Sequence, residues 1–228
     1  NLALEDYPRN LILKQYKVDL ISNNLNETNN KFNCRNVSHN IAEIFYIISN
    51  ALSVQRNYSL SNFFLNLAKY LNSDFISYNT LYAENFYKIG NLEKSNAIYN
   101  IIRKKGPIYF WHASKEISKK LIKEEKNEQA LKLLENSYQK IYSPTVYEIY
   151  DYANFLKNNK KFDLSLSYYT KVINLIDKKH ELYPKATDGR GIVYEQLGKW
   201  EEAEKDFLES LSVAPDQPYV INYLAYSW

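Results

Sequence analysis

The chain is poor in the residues that make turns. Its 228 residues include five Gly and six Pro, and an all-β fold of this length needs many more of both. There is one cysteine, Cys34. An intrachain disulfide and a cysteine-rich metal site are therefore excluded, and a lone cysteine fits a reducing or an oxidising compartment equally. No apolar run approaches the ~18 residues of a membrane span, and no secretory leader is visible. The chain starts without Met and stops at Trp228 inside a helical pattern, so it reads as a segment of a longer protein. An excess of charge is missing too. The 29 basic and 26 acidic residues are interspersed and leave a net +3, whereas a dedicated polyanion binder concentrates positive charge on one face.

What the chain has in quantity is Tyr, at 22 residues, and a repeat. Two of its few glycines, Gly191 and Gly198, fall in a stretch that otherwise reads as helix, GIVYEQLGKWEEAEKDFLESLSVAP. Glycine in a helix interior costs about 1 kcal/mol against alanine, so the positions need a reason. A frame of 34 residues with Pro184 at position 1 supplies it. Gly191 falls at position 8, Tyr194 at 11, Gly198 at 15, Ala203 at 20, Phe207 at 24, Ser210 at 27 and Pro215 at 32. Small residues at 8 and 20 let two helices approach, and large residues at 11 and 24 fill the space beside them. A glycine at 15 ends the first helix, because it is free to adopt a positive φ. Proline at 32 follows the second helix, which it cannot continue.

The frame recurs with starts near 42, 76, 111, 146, 184 and 218, the last incomplete. Positions 8 and 20 are small in all five complete repeats: Ser49 and Ser61, Ala83 and Ser95, Ser118 and Ala130, Ala153 and Ser165, Gly191 and Ala203. The longest step carries an extended connector, Asp177 to Tyr183. Residues 1–41 fit less well. Residues 1–7 read as the end of an earlier second helix, Leu11 to Ser22 as one helix, and Asn23 to Asn40 as a polar Asn-rich loop, together a degenerate repeat.

This pattern resembles the tetratricopeptide repeat (TPR), firmly over 42–228 and weakly over 1–41. The resemblance implies an all-α, right-handed solenoid of at least five complete helix pairs, each burying its apolar faces against its neighbours. The runs "AEIFYIISNAL", "LNLAKYLNSD" and "APDQPYVINYLAYSW" also resemble the long multi-repeat TPR proteins of Gram-negative bacteria. That resemblance implies a periplasmic location, with the cytoplasm as the alternative, and protein interaction as the function. The last helix, "YVINYLAYSW", lacks its second helix, so it is expected to pack on further repeats or on another chain, including a second copy.

Signs of catalysis are missing. The three histidines, His39, His112 and His180, lie in different repeats without a second His or Cys at ligand spacing; all three are expected to be solvent-exposed. There is no G-x-S-x-G elbow and no phosphate loop, and "DGRG" at 188–191 falls in mid-helix, where close packing explains the glycine. Cys34 and His39 have no orienting third group. No cofactor, metal or small-molecule substrate is expected, and the chain reads as a non-enzyme.

The basic runs Arg103 to Lys105, Lys119–Lys120 and Lys178 to His180 need no polyanion. The first and last follow second helices, where cations complement the helix dipole. An RNA-binding alternative comes from the repeat at 76, whose "ISYNTLYAENFYKIGNLEKSNAIYNIIRKKG" also resembles a pentatricopeptide repeat. The other repeats lack the "YNTL" opening, so nucleic acid is disfavoured. Some TPR domains clamp a C-terminal carboxylate with Lys and Asn; here Lys115 matches, but Lys119 and Asp151 stand where Asn is required, and the clamp is not supported.

What remains is a surface. In TPR arrays the first helices line the concave face, and the family's inward positions carry here Glu43, Tyr46, Asn50, Thr80, Glu84, Tyr87, Lys115, Lys119, Lys123, Tyr147, Tyr150, Asn154, Lys185, Asp188 and Glu195. The incomplete repeat adds Tyr219, Asn222, Tyr223 and Tyr226. Tyrosine offers a rigid apolar face with a polar tip, which suits interfaces. Lys115, Lys119 and Lys123 stand at i, i+4 spacing on one helix face. With Tyr147, Tyr150 and Asn154 beside them, they lead us to expect a protein or peptide partner with an acidic or aromatic segment.

Overall fold

A computed structural model of the chain describes residues 2–23 and 32–227. Residues 24–31 of the Asn-rich stretch and Trp228 lie outside the described residues, as do the side chains of Tyr226 and Ser227. Among the described residues every regular element is an α-helix. The chain divides into two compact units, 1–142 and 143–228. The first holds α1 (Leu2–Asp6), α2 (Leu11–Ile21) and three helix pairs: α3 (Val37–Val54) with α4 (Tyr58–Leu71), α5 (Ile76–Ile89) with α6 (Leu92–Ile102), and α7 (Pro107–Lys123) with α8 (Asn127–Gln139). The second holds α9 (Val146–Asn158) with α10 (Phe162–Leu175), α11 (Tyr183–Gln196) with α12 (Trp200–Val213), and α13 (Pro218–Ser227).

The 34-residue frame has a physical counterpart at each key position. The residues at 8 and 20 are all essentially closed to solvent. They let the two helices of a pair approach until a side chain of one reaches the backbone of the other. In three pairs the serine at 20 donates its hydroxyl to the carbonyl at 8: Ser61 to Ser49 at 2.8 Å, Ser95 to Ala83 at 2.9 Å and Ser165 to Ala153 at 2.9 Å. The α7–α8 pair reverses the direction, with Ser118 at 8 donating to the Ala130 carbonyl at 3.3 Å. In the α11–α12 pair neither of these positions carries a hydroxyl. A Cβ on Gly191 would stand 2.7 Å from the Phe207 ring and 3.3 Å from the Ala203 carbonyl. Positions 24 and 27 then seal the interior, with Leu65, Tyr99, Leu134, Tyr169 and Phe207 at the first and Ala68, Ile102, Ser137, Val172 and Ser210 at the second, all buried.

The turn inside each pair repeats just as closely. Position 15 has a positive φ in all five: Arg56 at 63°, Gly90 at 87°, Glu125 at 59°, Lys160 at 58° and Gly198 at 73°. The next amide always donates back to the carbonyl at position 11, at 2.8 to 2.9 Å (Asn57 to Leu52, Asn91 to Phe86, Lys126 to Leu121, Lys161 to Leu156, Lys199 to Tyr194). This is the six-to-one bond of a helix end closed by a left-handed residue. Glycine holds that position in only two of the five.

The N-terminal region departs from the sequence reading in two ways. Helix α3 starts at Val37, inside the stretch read as a loop, because the Asn36 side chain accepts from the Ser38 and His39 amides and caps it. Helix α2 packs on α7, far along the chain, instead of opening a repeat before α3. Its contacts are largely polar. Lys14, Gln15 and Asp19 are buried. The Gln15 Oε1 accepts from the Ile108 amide at 3.1 Å, and its Nε2 donates to Asp19 at 2.7 Å. Leu11 and Ile12 add an apolar edge against the core around Ile76, Tyr99 and Tyr109.

Candidate interaction surface

In the first unit the first helices are α3, α5 and α7. Tyr46 lies in the core layer, its ring 5.2 Å from that of Tyr78 and 6.4 Å from that of Phe75. Asn50 and Thr80 bond within their own helices, to the Tyr46 and Ser77 carbonyls at 2.9 and 2.8 Å. Glu84 is exposed and Tyr87 half-buried. The lysine row is not an open positive patch. Lys119 is paired with Glu116 at 2.6 Å. Lys115 lies over the Trp111 ring at 5.6 Å, and Lys123 over the Tyr87 ring at 4.9 Å. Each ammonium has found an anion or an aromatic face at home, which weakens the expectation of an acidic partner. Glu43 points the other way: its Oε2 is shut from solvent without a donor, and burial pushes its carboxyl above the usual range.

In the second unit the first helices are α9, α11 and α13. Tyr147 is buried, its ring 5.7 Å from the His180 ring, so it packs against the connector and offers no contact area. Tyr150 stands 6.1 Å from the Tyr169 ring. Asn154 donates to the Tyr150 carbonyl at 3.1 Å and accepts from the Tyr169 hydroxyl at 2.7 Å. Lys157, one helical turn on and unremarked in the sequence, lies over the Tyr169 ring at 5.9 Å. Burial lowers its ammonium, and Asp188 opposes that shift.

Asp188 itself is held unusually. Its Oδ1 is closed to solvent without a donor, and burial pushes its carboxyl up to about 6, partly offset by Lys157. Glu195, two turns along α11, likewise has a buried Oε2 without a donor. On α13, Val220 and Leu224 are buried against Ala203 and Phe207, while Tyr219 is 51% exposed. The Tyr219 hydroxyl donates to that of Tyr223 at 3.1 Å, and the two rings meet edge to face at 4.8 Å. Asn222 and Lys185 are exposed.

Other side chains singled out by type are spent on structure. His112 is half-buried, contrary to the expectation of exposure; burial lowers its imidazole to about 4, and its ring stands edge-on to Tyr99. His39 and His180 are also only partly exposed, and each accepts a local backbone amide, from Asn33 and Leu182. Cys34 is exposed. Arg190 of the "DGRG" run forms a two-pronged pair with Asp206, at 2.7 and 2.8 Å, joining α11 to α12. Spacing alone gave no sign of that bridge. Among the described residues no three His, Cys, Asp or Glu gather to hold a metal ion, and no helix is long and apolar enough to cross a membrane.

Neither a protein-family model nor a curated protein matches the sequence. Solved structures do. YrrB, a TPR protein with an unusual peptide-binding site, is 16% identical with a TM-score of 0.55, over 79% of this chain and 90% of its own. The thermophilic TPR protein TTC0263 of Thermus thermophilus is 11% identical with a TM-score of 0.58, over 81% and 97%. A chain of the APC/C hetero-tetramer Cut9-Hcn1 is 14% identical with a TM-score of 0.60, over 98% of this chain and 44% of its own. With the repeated small-residue contacts and left-handed turns described above, this likeness establishes that the chain has the tetratricopeptide-repeat fold.

Proposed function

We propose that the chain is a non-catalytic interaction module that holds a peptide or protein segment on the faces formed by the first helices of its pairs. The observation that supports this most directly is the exposed Tyr219 beside the part-exposed carboxylates Asp188 and Glu195, each with one oxygen lacking a donor. A buried acceptor without a donor costs about 1 to 3 kcal/mol, and a surface selected only for solubility has no reason to keep two. YrrB offers a precedent for peptide binding on this fold.

Photo-crosslinking in native extract tests the reading. A photoreactive residue at Tyr219 or Glu84, on first helices, should capture a protein partner. The same residue at Leu164 or Leu208, exposed on second helices, should not. Capture from the second-helix positions alone would overturn the proposal. Recovery of single-stranded RNA in place of protein, with strong salt dependence, would favour the pentatricopeptide-like alternative.

A further inference from the structure

The second unit carries a charge pattern that specifies the partner further, on the reading that its first helices hold a peptide. Asp188 and Glu195 are seven residues apart on α11, so they share one helix face about 10 Å apart along the axis. Each has one oxygen closed off without a hydrogen-bond donor, and each residue remains partly exposed and reachable. The flanking helices compensate them only in part. From α9 the Lys157 ammonium offsets Asp188 in part but is drawn over the Tyr169 ring. From α13 come the two phenols, Tyr219 and Tyr223, and the fields of both carboxylates reach Tyr219. The seam therefore presents acceptors in search of donors, bordered by exposed aromatic surface.

We infer that this seam between α9, α11 and α13 binds a basic peptide segment, with Lys or Arg side chains at Asp188 and Glu195 and the Tyr219–Tyr223 pair beside them. An ammonium or guanidinium supplies the missing donors as charge-assisted hydrogen bonds. It also gains from an aromatic face. An anionic segment would meet two like charges. A metal ion is a poorer fit, since no third ligating side chain joins them. In extended conformation, cationic residues about three positions apart span the distance between the two carboxylates.

Panning the whole chain against a randomised peptide library, beside its Asp188→Asn/Glu195→Gln variant, tests this. Both changes keep size and shape and remove charge. Peptides recovered on the parent should be enriched in Lys and Arg, and the variant should lose that enrichment. The best parental peptide should bind the variant at least about tenfold more weakly, with no drop in melting temperature. Binders without Lys or Arg enrichment would overturn the inference while leaving the peptide-holding reading intact. So would an enrichment that the variant retains, since it would then arise from the acidic outer face of α12 around Glu201 and Glu209. If the library yields no binder to either protein, the inference fails together with the reading beneath it.

Discussion

Two neighbouring pairs, α9–α10 and α11–α12, solve one packing problem differently. Both must bring two helices within reach of a single side chain. The first does it with Ala153 and Ser165, and the serine hydroxyl bridges the gap to the Ala153 carbonyl. The second does it with Gly191 and Ala203, and Phe207 fills the space a Cβ at 191 would need. The invariant is the missing volume, and the hydrogen bond is optional. That is why Ser, Ala and Gly interchange at positions 8 and 20.

The sharpest way to break this comparison is to add volume on either side. Ala203→Trp and Gly191→Val both force atoms into a filled contact. Either should cost about 3 kcal/mol or more, within the range for overpacked or strained core sites, and thermal unfolding by circular dichroism should show a drop of many degrees. Ser165→Ala loses only a hydroxyl bond and should cost about 1 kcal/mol. Equal losses at the two pairs would mean that the bond, and not the space, sets the approach.

The same comparison shows what could be read from the sequence. Volume is written in residue type, so the small positions of the repeat were legible. Directional chemistry was not. Nothing in the spacing links Arg190 to Asp206, sixteen residues on, which faces it across the pair. Lys115, Lys119 and Lys123 read as a positive stripe, yet each has a partner within reach that no spacing rule supplies. Tyr147 reads as contact surface and is buried. The docking of α2 on α7 includes a glutamine meeting a backbone amide 93 residues away, and such a contact leaves no periodic trace. The sign of the candidate surface depended on which charges were already neutralised, and only the packed side chains show that.

A second prediction probes the seam where the two pairs meet. Asp188, on α11, has its carboxyl raised from 3.8 to about 6, mainly by burial, with Lys157 from α9 working against the shift. A carboxyl whose folded value is raised binds its proton more tightly folded than unfolded. Its ionisation therefore costs stability: nothing below about 4, progressively more as pH rises to about 6, and the full amount above that. Solvent screening reduces this to about 1 kcal/mol. His112, lowered to about 4, acts in the opposite sense, losing stability as pH falls from about 6.5 towards 4, but it lies in the other unit. The difference between the parent and Asp188→Asn isolates the seam. The variant should be more stable at pH 7 and equal to the parent near pH 4, by thermal unfolding at matched ionic strength. A variant less stable at pH 7 would mean that Asp188 serves to hold Lys157.

The smallest effect lies in the turns, where the two pairs differ again. Position 15 is Lys160 in one and Gly198 in the other, at φ 58° and 73°. A residue with a Cβ pays about 1 kcal/mol to sit in the left-handed region, and glycine avoids that while losing more chain entropy on folding. A Cβ on Gly198 would meet nothing within 4 Å, so crowding does not enter and the backbone term stands alone. Lys160→Gly should therefore stabilise the chain by about 0.5 to 1 kcal/mol, and Gly198→Ala should destabilise it by a similar amount. Arg56→Gly and Glu125→Gly, at φ 63° and 59° in the first unit, should follow Lys160→Gly in sign. Urea unfolding with an unchanged m-value would report these as changes in native stability. If Lys160→Gly destabilised, the side chain at that turn would be holding something the helix-end geometry does not reveal, and the lysine would then need a role at the surface as well as a place in the fold.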